Sequence, residues 1–153
     1  MNLSRQALGP PEFVLVAAWL AEPALAIELD MSANCEIGVV CGISTGYAYL
    51  EVLGKMLAVS SLILRECGLG PGALAVLAAA LTTSTIHRLD VSSNPLSGST
   101  WHSEWRSWYQ LDTDLDGVVA LSNCLSLTQI DELSVVSCGL GPMSLSIVST
   151  ALG

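Results

Sequence analysis

Two segments recur almost unchanged in this chain, Cys67-Gly-Leu-Gly-Pro71 and Cys138-Gly-Leu-Gly-Pro142. An internal repeat constrains a fold more tightly than composition can, because each copy must present the same face to its neighbours. The tripeptide Leu-Gly-Pro also occurs at Leu8–Pro10. A second motif alternates with the first: Glu28-Leu-Asp-Met-Ser-Ala-Asn34 matches Arg88-Leu-Asp-Val-Ser-Ser-Asn94. Alternation of this kind predicts stacked units that share one apolar interior, since no single unit can bury its own apolar side.

Written against the pattern L-x-x-L-x-L-x-x-N/C-x-L, the copies fall into one register. Val59, Leu62, Leu64, Cys67 and Leu69 fill one copy, and Ile86, Leu89, Val91, Asn94 and Leu96 the next. Ile130, Leu133, Val135, Cys138 and Leu140 fill a third. Ala26, Leu29, Met31 and Asn34 make a weaker copy with Glu36 at an apolar position, and Leu3, Gln6 and Leu8 make a half copy. Apolar positions pointing one way from a short strand would stack on their equivalents and form the core. A small polar side chain where the chain leaves the strand can satisfy backbone groups that a buried turn would orphan. Gly-Pro then ends the extended segment and opens a helix. Leu74, Leu77, Ala78 and Leu81 recur at helical spacing, predicting a helix over 73–81.

Asn-type and Cys-type copies in alternation, each strand followed by a helix, resemble the ribonuclease-inhibitor subfamily of leucine-rich-repeat proteins. The resemblance implies an α/β solenoid with parallel strands on a concave face and helices on the convex one. It implies a single domain over 1–153, and we expect an insertion at about 97–123 that contains a tryptophan-rich helix and an EF-hand-like loop. It also implies a non-enzymatic scaffold that binds a protein partner through the concave face. In this register that face carries Glu28, Asp30, Arg65, Glu66, His87, Arg88, Asp90, Asp131 and Glu132. The face is mixed in charge, leans acidic and lacks the aromatic anchors that usually dominate interface energy. Two features depart from the family. The turn positions Gln6, Asn34, Cys67, Asn94 and Cys138 lie 28, 33, 27 and 44 residues apart, so two intervals carry insertions. Neither end supplies a polar cap, which leads us to expect a fragment, a subunit of a larger assembly or a chain docked against partners.

Composition narrows the alternatives. Hydrophobic residues make up 52% and charged residues 12%, ample apolar surface to offset the entropy of ordering. A bilayer span needs about 20 mostly apolar residues, and the runs Phe13–Ala21 and Leu74–Leu81 are too short. A net charge of −9 with five Lys plus Arg argues against nucleic acid and anionic membrane surfaces as partners. The five cysteines cannot all pair within the chain, and none shows CxxC spacing. They read as buried free thiols of an intracellular protein. Arg5, the run Phe13–Ala21 and Ala24-Leu25-Ala26 loosely imitate a secretory signal, so secretion is the other reading.

The longest interval holds Trp101, Trp105 and Trp108, followed by Asp112-Thr-Asp-Leu-Asp-Gly117. Aspartates at alternate positions with Gly sixth resemble the opening of an EF-hand calcium loop, where oxygens converge on a hard cation. Val119 fills the apolar eighth position, and Trp108 and Leu111 stand where an entering helix would pack. Asn123 replaces the bidentate Glu at position twelve, so the loop is degenerate. The resemblance implies Asp112, Asp114, Asp116, the carbonyl of Val118 and Asn123 as calcium ligands. It makes a calcium-responsive interaction module the second function class. A plain Asp-rich linker ahead of a helix over 118–127 fits the same residues. The tryptophans read as a small local core or as a patch for a partner.

A third class is enzymatic. Gly42-Ile-Ser-Thr-Gly46 matches the G-x-S-x-G nucleophile elbow of α/β-hydrolases, with Ser44 as nucleophile, a strand over 39–41 and a helix over 47–57. Only His87 and His102 exist to serve as base. The register sends His87 to the strand face, and a Gly-rich turn is expected inside a repeat anyway. The enzymatic reading is the weakest.

Overall fold

The structure, a computed structural model, describes residues 1–8, 12, 15–16, 28–34 and 59–152. In chain order the elements are β1 (Glu28–Asp30), β2 (Ser61–Ile63), α1 (Pro71–Leu81), β3 (Arg88–Asp90), β4 (Thr100–His102), β5 (Ser107–Tyr109), α2 (Asp116–Leu125), β6 (Glu132–Ser134) and α3 (Pro142–Leu152). The fold is α/β: β1, β2, β3 and β6 form a parallel sheet in that order, and β4 and β5 form a separate antiparallel pair.

The repeat register is the register of the sheet. Leu29, Leu62, Leu89 and Leu133 are aligned across the four strands. Two residues on, Met31, Leu64, Val91 and Val135 make a second row, linked by ladder bonds from Met31 N to Ile63 O, Leu64 N to Asp90 O and Val91 N to Ser134 O. The first three members of each row are sealed in the core, at most 1% exposed. Leu133 and Val135, on the last strand, are only partly buried. Asn2 adds a parallel bridge to Asp30 on the other side of β1, which places the half copy Leu3, Gln6 and Leu8 in the same series.

Each strand is short because the chain turns sharply after it. The residue before the turn position is left-handed every time: Arg5, Ala33, Glu66, Ser93 and Ser137 have φ of 57°, 57°, 54°, 58° and 58°. For residues carrying a Cβ this conformation costs roughly 1–2 kcal/mol each. Hydrogen bonds at the following residue offset it, as described below.

The helices cover the inner side of the sheet. Helix α1 is built from Ala, Leu and Val behind Pro71, whose missing N–H costs nothing in a first turn. It begins two residues earlier than periodicity suggests, at the proline itself. Its last carbonyls are closed by hydroxyls: Thr82 donates to Ala79 O, Thr83 to Ala80 O and Ser84 to Leu81 O, at 2.8, 3.2 and 2.9 Å. Leu74 and Leu77 meet Val118 and Leu121 of α2 in the core, and α2 packs in turn on α3.

Three expectations are corrected here. The tryptophan-rich segment is a hairpin rather than a helix: Trp101 and Trp108 are opposite residues of β4 and β5. Their rings meet edge to face, 5.3 Å between centroids. Spacing of Trp101, Trp105 and Trp108 imitates one helical face, but a four-residue loop over 103–106, with Arg106 left-handed at φ 49°, folds the segment back. The helix expected over 118–127 runs from Asp116 to Leu125. Gly117, assigned to a sharp loop turn, lies inside that helix without positive φ. Glycine is needed because a Cβ would lie 2.4 Å from Pro71 O, where α2 crosses the start of α1.

The strand over 39–41, the helix over 47–57, Ser44, Cys35 and Cys41 lie outside the described residues, as does most of the signal-like run. Cys67, Cys124 and Cys138 are buried, and burial pushes the thiols of Cys124 and Cys138 up to about 11. No helix among the described residues is long and apolar enough to cross a membrane.

Candidate functional site

The turn positions are the chemical signature of this sheet. Asn94 is fully buried, and its carboxamide ties two units together. Its Oδ1 accepts from Cys67 N and Leu69 N at 2.9 and 3.0 Å. Its Nδ2 donates to Leu64 O and Val91 O, both at 2.8 Å, and to Ser92 O. Asn34 repeats the pattern, accepting from Gln6 N and Leu8 N and donating to Leu3 O, Met31 O and Ser32 O. Cysteine places a thiol donor at the same point. Cys67 Sγ reaches Met31 O and Arg65 O, and Cys138 Sγ reaches Val91 O and Val136 O. A thiol is a weak donor and a weak acceptor, so the alternation gives strong and weak staples in turn.

On the opposite face the sheet carries the expected charged residues, in rows fixed by the register. Glu28, Ser61, Arg88 and Glu132 align, as do Asp30, Ile63, Asp90 and Ser134. Arg88 Nε pairs with Glu132 at 3.2 Å across β3 and β6, and His87 Nδ1 lies 3.4 Å from Asp131 just before the same two strands. Arg65 Nε donates to Asp90 Oδ2 at 2.6 Å. This raises the Arg65 guanidinium above its ordinary value.

Asp90 departs from expectation. It was read as an exposed contact, but its side chain is fully buried beneath Arg65 and accepts from Ser92 N at 3.0 Å. Burial opposes its charge, yet the hydrogen bonds from Arg65 and Ser92 outweigh that and hold its carboxyl below the ordinary value. Asp90 is a support for Arg65 rather than a surface. Glu28, Asp131, Glu132, Arg65 and Glu66 are exposed; His87 is half-exposed, and Asp30 and Arg88 are partly exposed. A shallow hollow of about 370 Å³ lies between Arg5, Asp30, Arg65 and Glu66.

The aspartates of the insertion are brought together in sequence but not in space. Asp112 reaches away from the loop to the start of α3. There it accepts from Gly141 N, Met143 N and Ser144 N at 3.0, 2.9 and 3.3 Å, and from the Ser144 hydroxyl. Burial opposes its ionisation, but these four donors prevail and its pKa is lowered. Asp114 Oδ1 accepts from Asp116 N at 3.0 Å and so opens α2. Asp116, Val118 and Asn123 all belong to α2, with Val118 buried and Asn123 exposed. Among the described residues no three His, Cys, Asp or Glu side chains gather as a metal ion would require. Asp112 thus serves the start of α3, and Asp114 the start of α2.

Sequence reasoning missed this use of Asp112, whose signal lay in Gly-Pro-Met-Ser far down the chain. It also missed the closure of the insertion. Ser97 Oγ donates to Gly139 O at 2.8 Å, and Asp114 N to Ser97 O at 3.1 Å. From this base the hairpin projects its aromatics: Trp101 and Trp105 are 48% and 69% exposed. His102 stacks on Trp105 at 4.0 Å. His87 thus sits beside Asp131 and His102 on an aromatic ring. Compared with protein-family models, curated proteins and solved structures, the chain gives no match.

Proposed function

We propose that this chain is a leucine-rich-repeat solenoid of the ribonuclease-inhibitor type, a non-enzymatic scaffold that binds a protein partner. The observation that carries the reading is the turn staple, repeated at Asn34, Cys67, Asn94 and Cys138 in one register. Parallel strands with apolar side chains inward leave the other face of the sheet for contact. In this reading that face is the concave one, and α1, α2 and α3 belong to the convex layer. Buried, weakly acidic thiols at Cys124 and Cys138 support a reducing, intracellular setting.

The partner's chemistry follows from the charges. Both arginines of the face are engaged by acids of neighbouring strands, and Glu28, Asp131 and Glu132 are exposed. A partner presenting basic side chains fits, steered by a net charge of −9.

The test compares three baits in cross-linking capture: the wild-type chain, Glu28→Lys with Asp131→Lys and Glu132→Lys, and Trp101→Ser with Trp105→Ser. The reading expects a basic partner that the charge-reversed face loses by about tenfold or more and the hairpin variant keeps. Capture that survives charge reversal and fails with the hairpin variant contradicts it.

A further inference from the structure

The hollow beside Arg65 comes from side-chain size at equivalent positions. Arg5 N donates to Ser32 O and Ala33 N to Arg65 O, so Ser4-Arg5, Ser32-Ala33 and Arg65-Glu66 are matching pairs in successive units. The middle pair is small and its flanks are long, which leaves a space of about 370 Å³ at Ser32 and Ala33.

Donors are left over in this hollow. Each oxygen of Asp30 already holds a bond, Oδ1 from Ser32 N at 3.0 Å and Oδ2 from Asn2 Nδ2 at 3.2 Å. A guanidinium carries five N–H donors in a flat fork. Arg65 turns one side of that fork, Nε and Nη2, to Oδ2 of the buried Asp90 at 2.6 and 2.5 Å. The end of the fork, Nη1 and the outer hydrogen of Nη2, therefore points away from Asp90, and the Arg65 side chain is 52% exposed. Arg5 is exposed and makes no ion pair among the described residues. Ser32 Oγ is buried and has no hydrogen-bond partner among the described residues. A buried hydroxyl is ordinarily paired, so an incoming acceptor would complete it.

We propose that this hollow is a carboxylate-binding site, in which the free end of the Arg65 fork, Arg5 and the Ser32 hydroxyl take one carboxylate of a partner. A carboxylate meets an arginine fork through two parallel bonds. It fits better than a phosphate because Asp30 and Glu66 also line the hollow, and two acids beside two arginines suit a single negative charge. Asp90 is a positioning residue. Anchored in the interior, it holds the guanidinium in one orientation, so less freedom is lost when the carboxylate arrives. The inference rests on the reading of this face as the contact surface and gives that contact a direction. Glu28 and Glu132 open their strands, Asp131 stands just before one, and the hollow lies at the strand ends. A partner thus sets basic side chains at one side of the contact and its carboxylate at the other.

The test titrates the whole chain with short peptides and follows the Ser32 and Ala33 amides and the Arg65 Nε–H by NMR. One probe is acetyl-Gly-Ala-Glu-Ala-Gly-amide, whose carboxylate is on a side chain. A second, acetyl-Gly-Ala-Gln-Ala-Gly, carries it only at the chain end, and the amide of the second has none. At least one charged probe should saturate with a Kd of about 1–10 mM, and the arm that binds names the source of the carboxylate. Arg65→Lys keeps the charge and loses the fork, so it should weaken binding about tenfold or more. Ser32→Ala removes a hydroxyl without a partner, so it should leave the thermal melt unchanged and weaken binding about threefold. Equal shifts from the neutral peptide, full binding by Arg65→Lys, or inorganic phosphate binding more tightly than either charged probe overturns the proposal. Absence of saturable shifts up to about 20 mM does so as well. Failed peptides with partner capture intact sink this inference alone, and the reverse sinks the partner reading alone.

Discussion

A single carboxamide at position 94 holds five backbone groups from two units that lie 25 to 30 residues apart in sequence. In a dry interior each such group left unpaired costs roughly 1–3 kcal/mol. Asn94→Ala is therefore expected to destabilise the fold by about 3 kcal/mol or more in denaturant unfolding. Asn94→Cys keeps a donor and loses the acceptor, so its loss should be smaller than that of the alanine variant. Equal losses would mean that the thiol does none of the work assigned to it. This role was legible beforehand because the requirement is local: a small polar group where a strand ends. The left-handed residue before it was not, since Ala33, Glu66, Ser93 and Ser137 share no side-chain property that announces positive φ.

At the scale of elements, periodicity revealed what packing decides and hid what distant groups decide. The strand rows were readable because the inward leucines recur at fixed offsets from the turn residue. Trp101, Trp105 and Trp108 misled for the same reason, as a spacing of four and three suits a helix while the cross-strand pair Trp101–Trp108 uses it in a hairpin. The partners of Asp112 were hidden by distance along the chain. The positive end of α3 and three amide donors surround its carboxylate, and they lie 29 to 32 residues further on. Its folded pKa is lowered, so its contribution is fully present above the unfolded value of about 3.9 and fades as pH falls through the folded one. Asp112→Ala should lower stability at pH 7 by about 1–2 kcal/mol, the range of a lost helix cap. The gap between variant and wild type should close in thermal melts below about pH 4. A gap that persists unchanged at pH 3 would show that charge is not what Asp112 provides.

For the molecule as a whole, the four parallel strands share one apolar interior. The interior runs without interruption from Leu29 through Leu62 and Leu89 and opens at Leu133. The charged face inherits its order from that interior, since the register that aligns the leucines also sets Arg88 beside Glu132. Alternation in the sequence was enough to anticipate the order of the strands. The partner's identity is not written there, because charge rows constrain chemistry and leave shape open.

The central claim is that turn asparagines bond the preceding unit rather than their own neighbourhood alone. NMR scalar couplings across hydrogen bonds measure this directly in the unmodified chain. The account predicts couplings from the amides of Cys67 and Leu69 to the side-chain carbonyl carbon of Asn94, and from Gln6 and Leu8 to that of Asn34. Couplings from those four amides to carbonyls within their own turns, with none to either asparagine, would contradict it.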